Sequence, residues 1–510
     1  MIWKVGGVLV YLAALLYIGV ASSRRMNDSR DFFAAGKRLN FWAVAFSARA
    51  TGESAWLLLG LTGMGAAIGA RAFWVVVGEV LGVSIAWLLM AGRFKNLTDR
   101  YDAITIPDYL EGRFNDKSHL LRLVAAGTLV CFVTIYVSAQ IFATGDAFTH
   151  FLGWNYYLGV FVGFAVVMTY SISGGFLAVV VSDIFQGALM FIGLVSLPIV
   201  GLFVLGGPGQ LIDGLQAIDP SLLTLSGVDG WTTTTVLGTI GLCLIGLGFL
   251  GSPQIFVRFL ALRDVKEIPK GSLVAIAWTL LADSGAVLTG MVGRAMLTKP
   301  GEDVVEVLGN NAESVLPNLV DHVLPAALVG LFIAIVLSAI MSTVDSLLVV
   351  ASSALVRDVY QQVLHPNIKD SQLVFLSRIA TFGLALIALI VALVVRQPGQ
   401  TVFWFVIFGW SGIAATFCPT IILSLFWKGF TTKGALAAMI TGFLCVPFFQ
   451  FGAPALITKL WPQNSHWVDN VNALTELPPA FAISMLTAVI VSLLDKSGRQ
   501  RLANIQLKKS

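Results

Sequence analysis

Apolar runs of about twenty residues, the length a helix needs to cross a bilayer, recur from one end of this chain to the other. Backbone N–H and C=O groups in lipid find no water, so only helices and closed barrels span a membrane, and these runs are far too long for barrel strands. The chain is therefore expected to be an all-α integral membrane protein. Thirteen spans are read at 3–22, 40–66, 72–92, 120–148, 155–173, 176–205, 232–252, 270–297, 323–352, 374–396, 401–426, 433–450 and 477–495. Only 12% of the residues are charged, against about a quarter in soluble domains. Residues 1–510 thus read as a single membrane domain with a short tail at 496–510. No basic leader precedes the first span and no small-residue cleavage site follows it, so it is read as a membrane helix.

Basic residues accumulate on the cytoplasmic side of a membrane protein. When the loops are numbered alternately, one side holds 25 of the 32 Lys and Arg residues. The other holds Lys4, Arg71, Lys299, Arg396 and Lys459, while Arg49 and Arg294 fall within spans. This asymmetry predicts an N-terminus outside and a C-terminus in the cytoplasm, in a plasma or inner membrane. The net charge of +4 then reflects orientation and gives no reason to expect nucleic acid as a partner.

The four cysteines (Cys131, Cys243, Cys418 and Cys445) are scattered singly, which suits neither a disulfide framework nor a metal cluster. No phosphate-binding loop and no His/Asp/Glu set with ligand spacing appears. An ATP-driven pump, an enzyme and a metal or haem cofactor are therefore not expected.

Polar interruptions inside apolar spans are costly and mark functional sites. The second span breaks its apolar run at Arg49, Thr51, Gly52, Glu53 and Ser54; the seventh crowds Gly246, Gly248, Gly251 and Pro253 together. Glycines in membrane helices also serve close packing, but two interruptions five spans apart suit an inverted-repeat transporter with its site at unwound segments. The ninth span is rich in hydroxyls, and Ala339, Ser342, Thr343 and Ser346 share one helical face. Hydroxyls and carbonyls with few charges suit a weakly held hard monovalent cation, extending the oxygen preference of hard cations. Asp183, which follows the six apolar residues 176–181 and Ser182, requires a partner or water.

At these residues the chain resembles the sodium:solute symporter family, and within it the bacterial sodium/proline symporters. The stretches that carry the resemblance are SAWLLLGLTG (54–63), TIPDYLEGRF (105–114), TIYVSAQ (134–140), SGGFLAVVVSD (173–183), IMSTVDSLLVVASSA (340–354) and FTTKGALAAMITG (430–442). The resemblance implies a leucine-transporter-like fold: an extra first helix, a five-plus-five inverted repeat over 40–205 and 232–426, and two extra helices at 433–495. It implies a sodium site made by the carbonyls of Ala50, Glu53 and Ala339 and the hydroxyls of Ser342 and Thr343. Asp183, Asp345 and Ser346 would form the area where some members hold a second cation. Ser54, Trp56, Tyr136, Ile245 and Phe249 would line the solute pocket.

The chain also departs from the family pattern. Proline symporters carry an aspartate at the position of Gly52, an apolar residue at Glu53, and Trp and Tyr at Ile245 and Phe249. They lack an acid at Glu79. Gly52 and Glu79 are accordingly assigned to the solute site, with Glu79 or Glu53 expected to meet a cationic group of the solute or a proton. Three readings stay open: a sodium-coupled importer of proline or a related amino acid; the same fold with another solute (a monocarboxylate, sugar or vitamin) or proton coupling; and a sensor or channel. The short tail counts against the sensor, because sensors of this family carry a kinase extension. Sodium is the expected coupling ion, and a monomer in the bilayer the expected state.

Overall fold

The computed structural model describes residues 2–23, 33–395 and 401–500. Arg24, Arg25, Arg30 and Arg396, counted above for orientation, lie outside these residues, as do 501–510 of the tail. Regular structure among the described residues is helical, with one isolated bridge between Leu39 and Leu262. The helices used below are α1 (Ile2–Ser23), α2 (Phe41–Ala55), α3 (Thr62–Ile68), α4 (Phe73–Ile85), α5 (Ile106–Phe114), α6 (Leu120–Leu152) and α7 (Tyr156–Leu205). They continue as α8 (Thr233–Leu244), α9 (Pro253–Ala261), α10 (Ile268–Leu297), α11 (Ala326–Ser353), α12 (Asp370–Val395), α13 (Val402–Phe426), α14 (Thr432–Pro447) and α15 (Leu477–Leu494).

Among the described residues, ten helical stretches are long and apolar enough to cross a membrane. One of them, Phe41–Arg100, contains both the second and third expected spans, parted at Gly69, where φ of 58° ends α3. Two shorter apolar helices, Trp3–Gly19 and Tyr156–Thr169, coincide with the first and fifth. Every expected span therefore has a helix. Large apolar side chains cover the outer surface: Phe203 is 81%, Val394 76% and Leu494 75% exposed. Such a surface is at home in lipid and unfavourable in water.

Helix α11 runs through the centre, packed on α1, α2, α6 and α7. Its residues from Phe332 to Val349 are all buried. Helix α4 lies against the interrupted segment Ile245–Leu250 at very close range. A Cβ on Gly246 would collide with the Gly78 carbonyl, and one on Gly82 with the Gly246 carbonyl, so backbone rests on backbone there. Small residues allow such approaches between membrane helices.

Candidate functional site

The break in α2 is a backbone feature with its own hydrogen-bond support. Helix α2 starts where the Asn40 side chain accepts from the Ala43 N–H at 2.9 Å, the usual device for an orphan first-turn donor. It runs to Ser54, whose φ of 37° and ψ of −166° lie outside the helical range. Such a conformation is strained for a residue with a Cβ and persists only where its surroundings hold it. Those surroundings are α6: Gln140 accepts from the Ala55 N–H through Oε1 (3.1 Å) and donates to Ser54 Oγ through Nε2 (3.3 Å). The Tyr136 hydroxyl donates to the same Ser54 Oγ at 3.4 Å. Trp56 turns its indole N–H onto the Gly52 carbonyl at 3.2 Å.

One helical turn before the break, α2 meets the hydroxyl face of α11. Ser342 Oγ donates to the Ala50 carbonyl (2.9 Å) and to the Ala339 carbonyl (3.2 Å). Thr343 Oγ1 donates to the Thr51 carbonyl (3.1 Å) and to the Ala339 carbonyl (3.2 Å). Four of the five residues expected for a sodium site thus converge, and Thr51 joins them. The Glu53 carbonyl accepts from the Trp56 N–H at the break. Five neutral oxygens from two helices, all buried, form a donor set that fits a hard monovalent cation.

The expected second cation area holds a guanidinium. Arg258 of α9 has no exposure, and its Nη2 lies 2.8 Å from Asp183 Oδ2, 2.6 Å from Ser346 Oγ and 2.5 Å from Thr51 Oγ1. Its Nε donates to Ser47 Oγ at 2.7 Å, its Nη1 to the Gln254 carbonyl, and Ser47 Oγ donates to Asp183 at 2.6 Å. Asp345 is buried one residue before Ser346. Arg258 is one of the 25 basic residues assigned above to the loops of one side; the structure corrects this, because it is buried within α9. After the interruption the chain re-enters a helix at Pro253, which suits a first helical position because its missing N–H would be orphaned there anyway.

A second buried charge group lies on the other side of α2. Arg49 pairs with Glu53 one turn along the same helix, and its Nη2 lies 3.9 Å from Glu79 Oε2 on α4. Asp283 of α10 completes the group: Glu53, Glu79 and Asp283 each offer an oxygen within 4.8 Å of the others. The guanidinium lies under two rings, Phe249 at 4.7 Å and Trp278 at 5.4 Å. Phe249, from the second interruption, also faces Trp410 at 5.0 Å, and Trp410 donates its indole N–H to the Ile245 carbonyl at 3.0 Å. Phe249 fills the space beside Gly52, where a Cβ would stand 2.9 Å from its ring. The residues assigned to the solute site (Gly52, Ser54, Trp56, Glu79, Tyr136, Ile245 and Phe249) are all buried around the two breaks. Asp283 was missed in the sequence, although an acid inside an apolar run is the same signal that marked Glu79.

Toward the basic side, Arg122 at the start of α6 binds Asp358 (2.5 Å), Asp108 (2.7 Å) and Glu111 (2.7 Å). Thr105 caps α5 by accepting from the Asp108 N–H (3.0 Å) and donates to Asp358 at 2.8 Å. Beside this network lies a narrow cleft lined by Phe176, Pro253, Val257, Val349, Ser353 and Asp358.

Comparison with known proteins agrees with this architecture. The family model described as the sodium:solute symporter family matches residues 32–442. The chain is 36% identical to the high-affinity proline transporter PutP of Bacillus subtilis over 95% of this chain and 97% of that protein. It is 33% identical to the osmoregulated proline transporter OpuE of the same organism, over 96% and 94%. It is 32% identical to the sodium/proline symporter of Escherichia coli, over 96% and 92%. Among solved structures, a Na⁺-coupled sialic acid symporter in its substrate-bound outward-open state superimposes with a TM-score of 0.77 and 18% identity, covering 97% of both chains. MhsT in complex with L-phenylalanine superimposes with a TM-score of 0.53 and 17% identity, over 88% and 98%.

Proposed function

Since this chain belongs to the sodium:solute symporter family, and is a transporter rather than an enzyme, we propose that it imports L-proline or a closely related small amino acid together with sodium. The observation that carries the coupling is the meeting of Ser342 and Thr343 with the carbonyls of Ala50 and Thr51, one turn before the Ser54 break. The coupling ion would sit among those oxygens, supplying one positive charge that draws α2 and α11 together. The same helix then presents the Ser54 region to the solute. A ligand shifts a conformational equilibrium only by its differential affinity for the two states. Sharing α2 gives sodium and solute that common lever.

The named activities of the relatives support proline as the first solute to test. Alternating access would move the inverted repeats at 40–205 and 232–426 against one another, in a monomer with its N-terminus outside and C-terminus in the cytoplasm. Arg258 already supplies a cation to Asp183 and Ser346, which favours a single sodium per cycle. Uptake of labelled L-proline into proteoliposomes, with and without an inward sodium gradient, tests the reading. Saturable sodium-stimulated uptake supports it; absence of proline uptake in sodium-responsive protein discards the solute.

A further inference from the structure

The side chains of Arg49, Glu53, Glu79 and Asp283 take no part in the hydrogen bonds around Ser342 or around Arg258. Three carboxyl groups share one guanidinium, so that with all of them ionised the group would carry a surplus of two negative charges, and none of the four side chains is more than 2% exposed. Uncompensated charge at this depth is expensive. Two further features aim the group at a ligand. Both carboxylate oxygens of Asp283 and both of Glu79 are buried without a hydrogen-bond donor. The group also lies between the two interruptions: Glu53 precedes Ser54, and Glu79 follows Gly78, on which Gly246 rests. Phe249, from the second interruption, covers it.

We infer that this cage receives a protonated nitrogen of the solute, so that the chain carries ammonium-bearing solutes and not monocarboxylates or sugars. An ammonium group has only donors to offer, and the cage has acceptors in need of them. The rings of Phe249 and Trp278 already face the Arg49 guanidinium, so the surroundings suit an organic cation. The neutral oxygens around Ser342 supply a separate place for sodium. The charge surplus has a second consequence: removing the solute's carboxylate, which leaves a net positive solute, harms binding less than removing its nitrogen. This inference rests on the reading of the chain as a sodium-coupled importer of an amino acid.

Three near-isosteres separate the two ends of the solute: L-proline, L-prolinamide without the carboxylate, and tetrahydrofuran-2-carboxylate without the nitrogen. Purified full-length protein in sodium would be titrated with each, with L-lysine and with 1,4-diaminobutane, and thermal stabilisation read alongside inhibition of proline uptake. The expected order places both nitrogen-bearing analogues ahead of the oxygen isostere by roughly tenfold or more in apparent affinity. Glu79→Gln and Asp283→Asn should each weaken the amines by about tenfold and leave the oxygen isostere unmoved; stabilisation by sodium alone reports that each variant is folded. Equal binding of the isostere and proline overturns the inference, as does unchanged amine affinity in both variants. Absence of any amine effect in sodium-stabilised protein overturns it as well, including the case where a second sodium fills the cage. Amine binding without proline uptake would instead discard proline and leave the ammonium site standing.

Discussion

Arg258 and Asp183, 75 residues apart in the chain, meet at 2.8 Å with neither side chain exposed. The pair joins α9 to α7, and through Thr51 and Ser346 it also holds α2 and α11. Removing one partner of a buried ion pair leaves an uncompensated charge and typically costs about 3–5 kcal/mol. Arg258→Met is therefore expected to unfold at a markedly lower temperature. The double variant Arg258→Met with Asp183→Leu should recover part of that loss, because no charge is stranded. A double-mutant cycle by thermal denaturation reads both values; additive losses would show that the pair does not act as a unit.

On the proposed reading, Ser342 and Thr343 hold the ion and stay clear of the solute. Ser342→Ala and Thr343→Ala each remove an oxygen and a hydrogen bond to a carbonyl of α2. A neutral hydrogen bond contributes about 1 kcal/mol, and loss of an ion ligand adds to it. Each variant should need roughly tenfold more sodium for half-maximal uptake. At saturating sodium the apparent solute affinity should stay close to that of the parent. Equal loss of both affinities would place these hydroxyls in the solute pocket instead.

The Arg122 network ties α5, α6 and the stretch after α11, and Asp358 brings it to the edge of the cleft beside Val257. Asp358→Asn removes its most buried acid. Weakening the tie by about 1 kcal/mol changes a two-state ratio roughly fivefold. A single cysteine at Val257, in a background lacking the four native cysteines, reports access to the cleft. Labelling of that cysteine by a thiol reagent should speed up accordingly in Asp358→Asn. An unchanged rate would remove the network from any gating role.

Glu313 offers a pH test outside the membrane spans. Its carboxylate accepts from the Val402 and Phe403 N–H groups at 2.8 and 2.9 Å, capping α13. Burial, with a smaller push from Asp146, raises its pKa from 4.5 to about 7, the two N–H groups opposing the rise. A raised folded-state pKa means that its contribution to stability is fully present below 4.5 and is lost as pH climbs through about 7. Thermal stability of the parent should therefore fall over that window relative to Glu313→Gln. Parallel pH curves for the two proteins would refute the assignment.

The spans, the Ser54 break and the hydroxyl face could all be read in the sequence because each is written locally, in apolar length, helix-breakers or helical spacing. Arg258 could not. A cluster of glycines followed by Pro253 looks like the end of a helix, so the residues beyond it look like a loop. Only the folded chain shows that Pro253 opens a new buried helix. Gln140 escaped notice for a different cause. A lone amide in an apolar helix acquires meaning from the broken backbone it supports, 85 residues away. Asp283 carried a legible signal, but its partners Arg49 and Glu79 lie on two other helices, and no periodicity links them.

The hydroxyls of Ser342 and Thr343 already donate to Ala50 and Thr51. A carrier that delivers its cargo must travel back empty. Had bare carbonyls been left facing one another, that return leg would begin against mutual repulsion of their dipoles. Rotating two hydroxyl hydrogens into the gap lets the protein close over nothing at little cost. An ion at the proposed site would compete with a hydrogen-bond-donating stand-in that never leaves, so weak sodium binding would follow from an easy homeward trip.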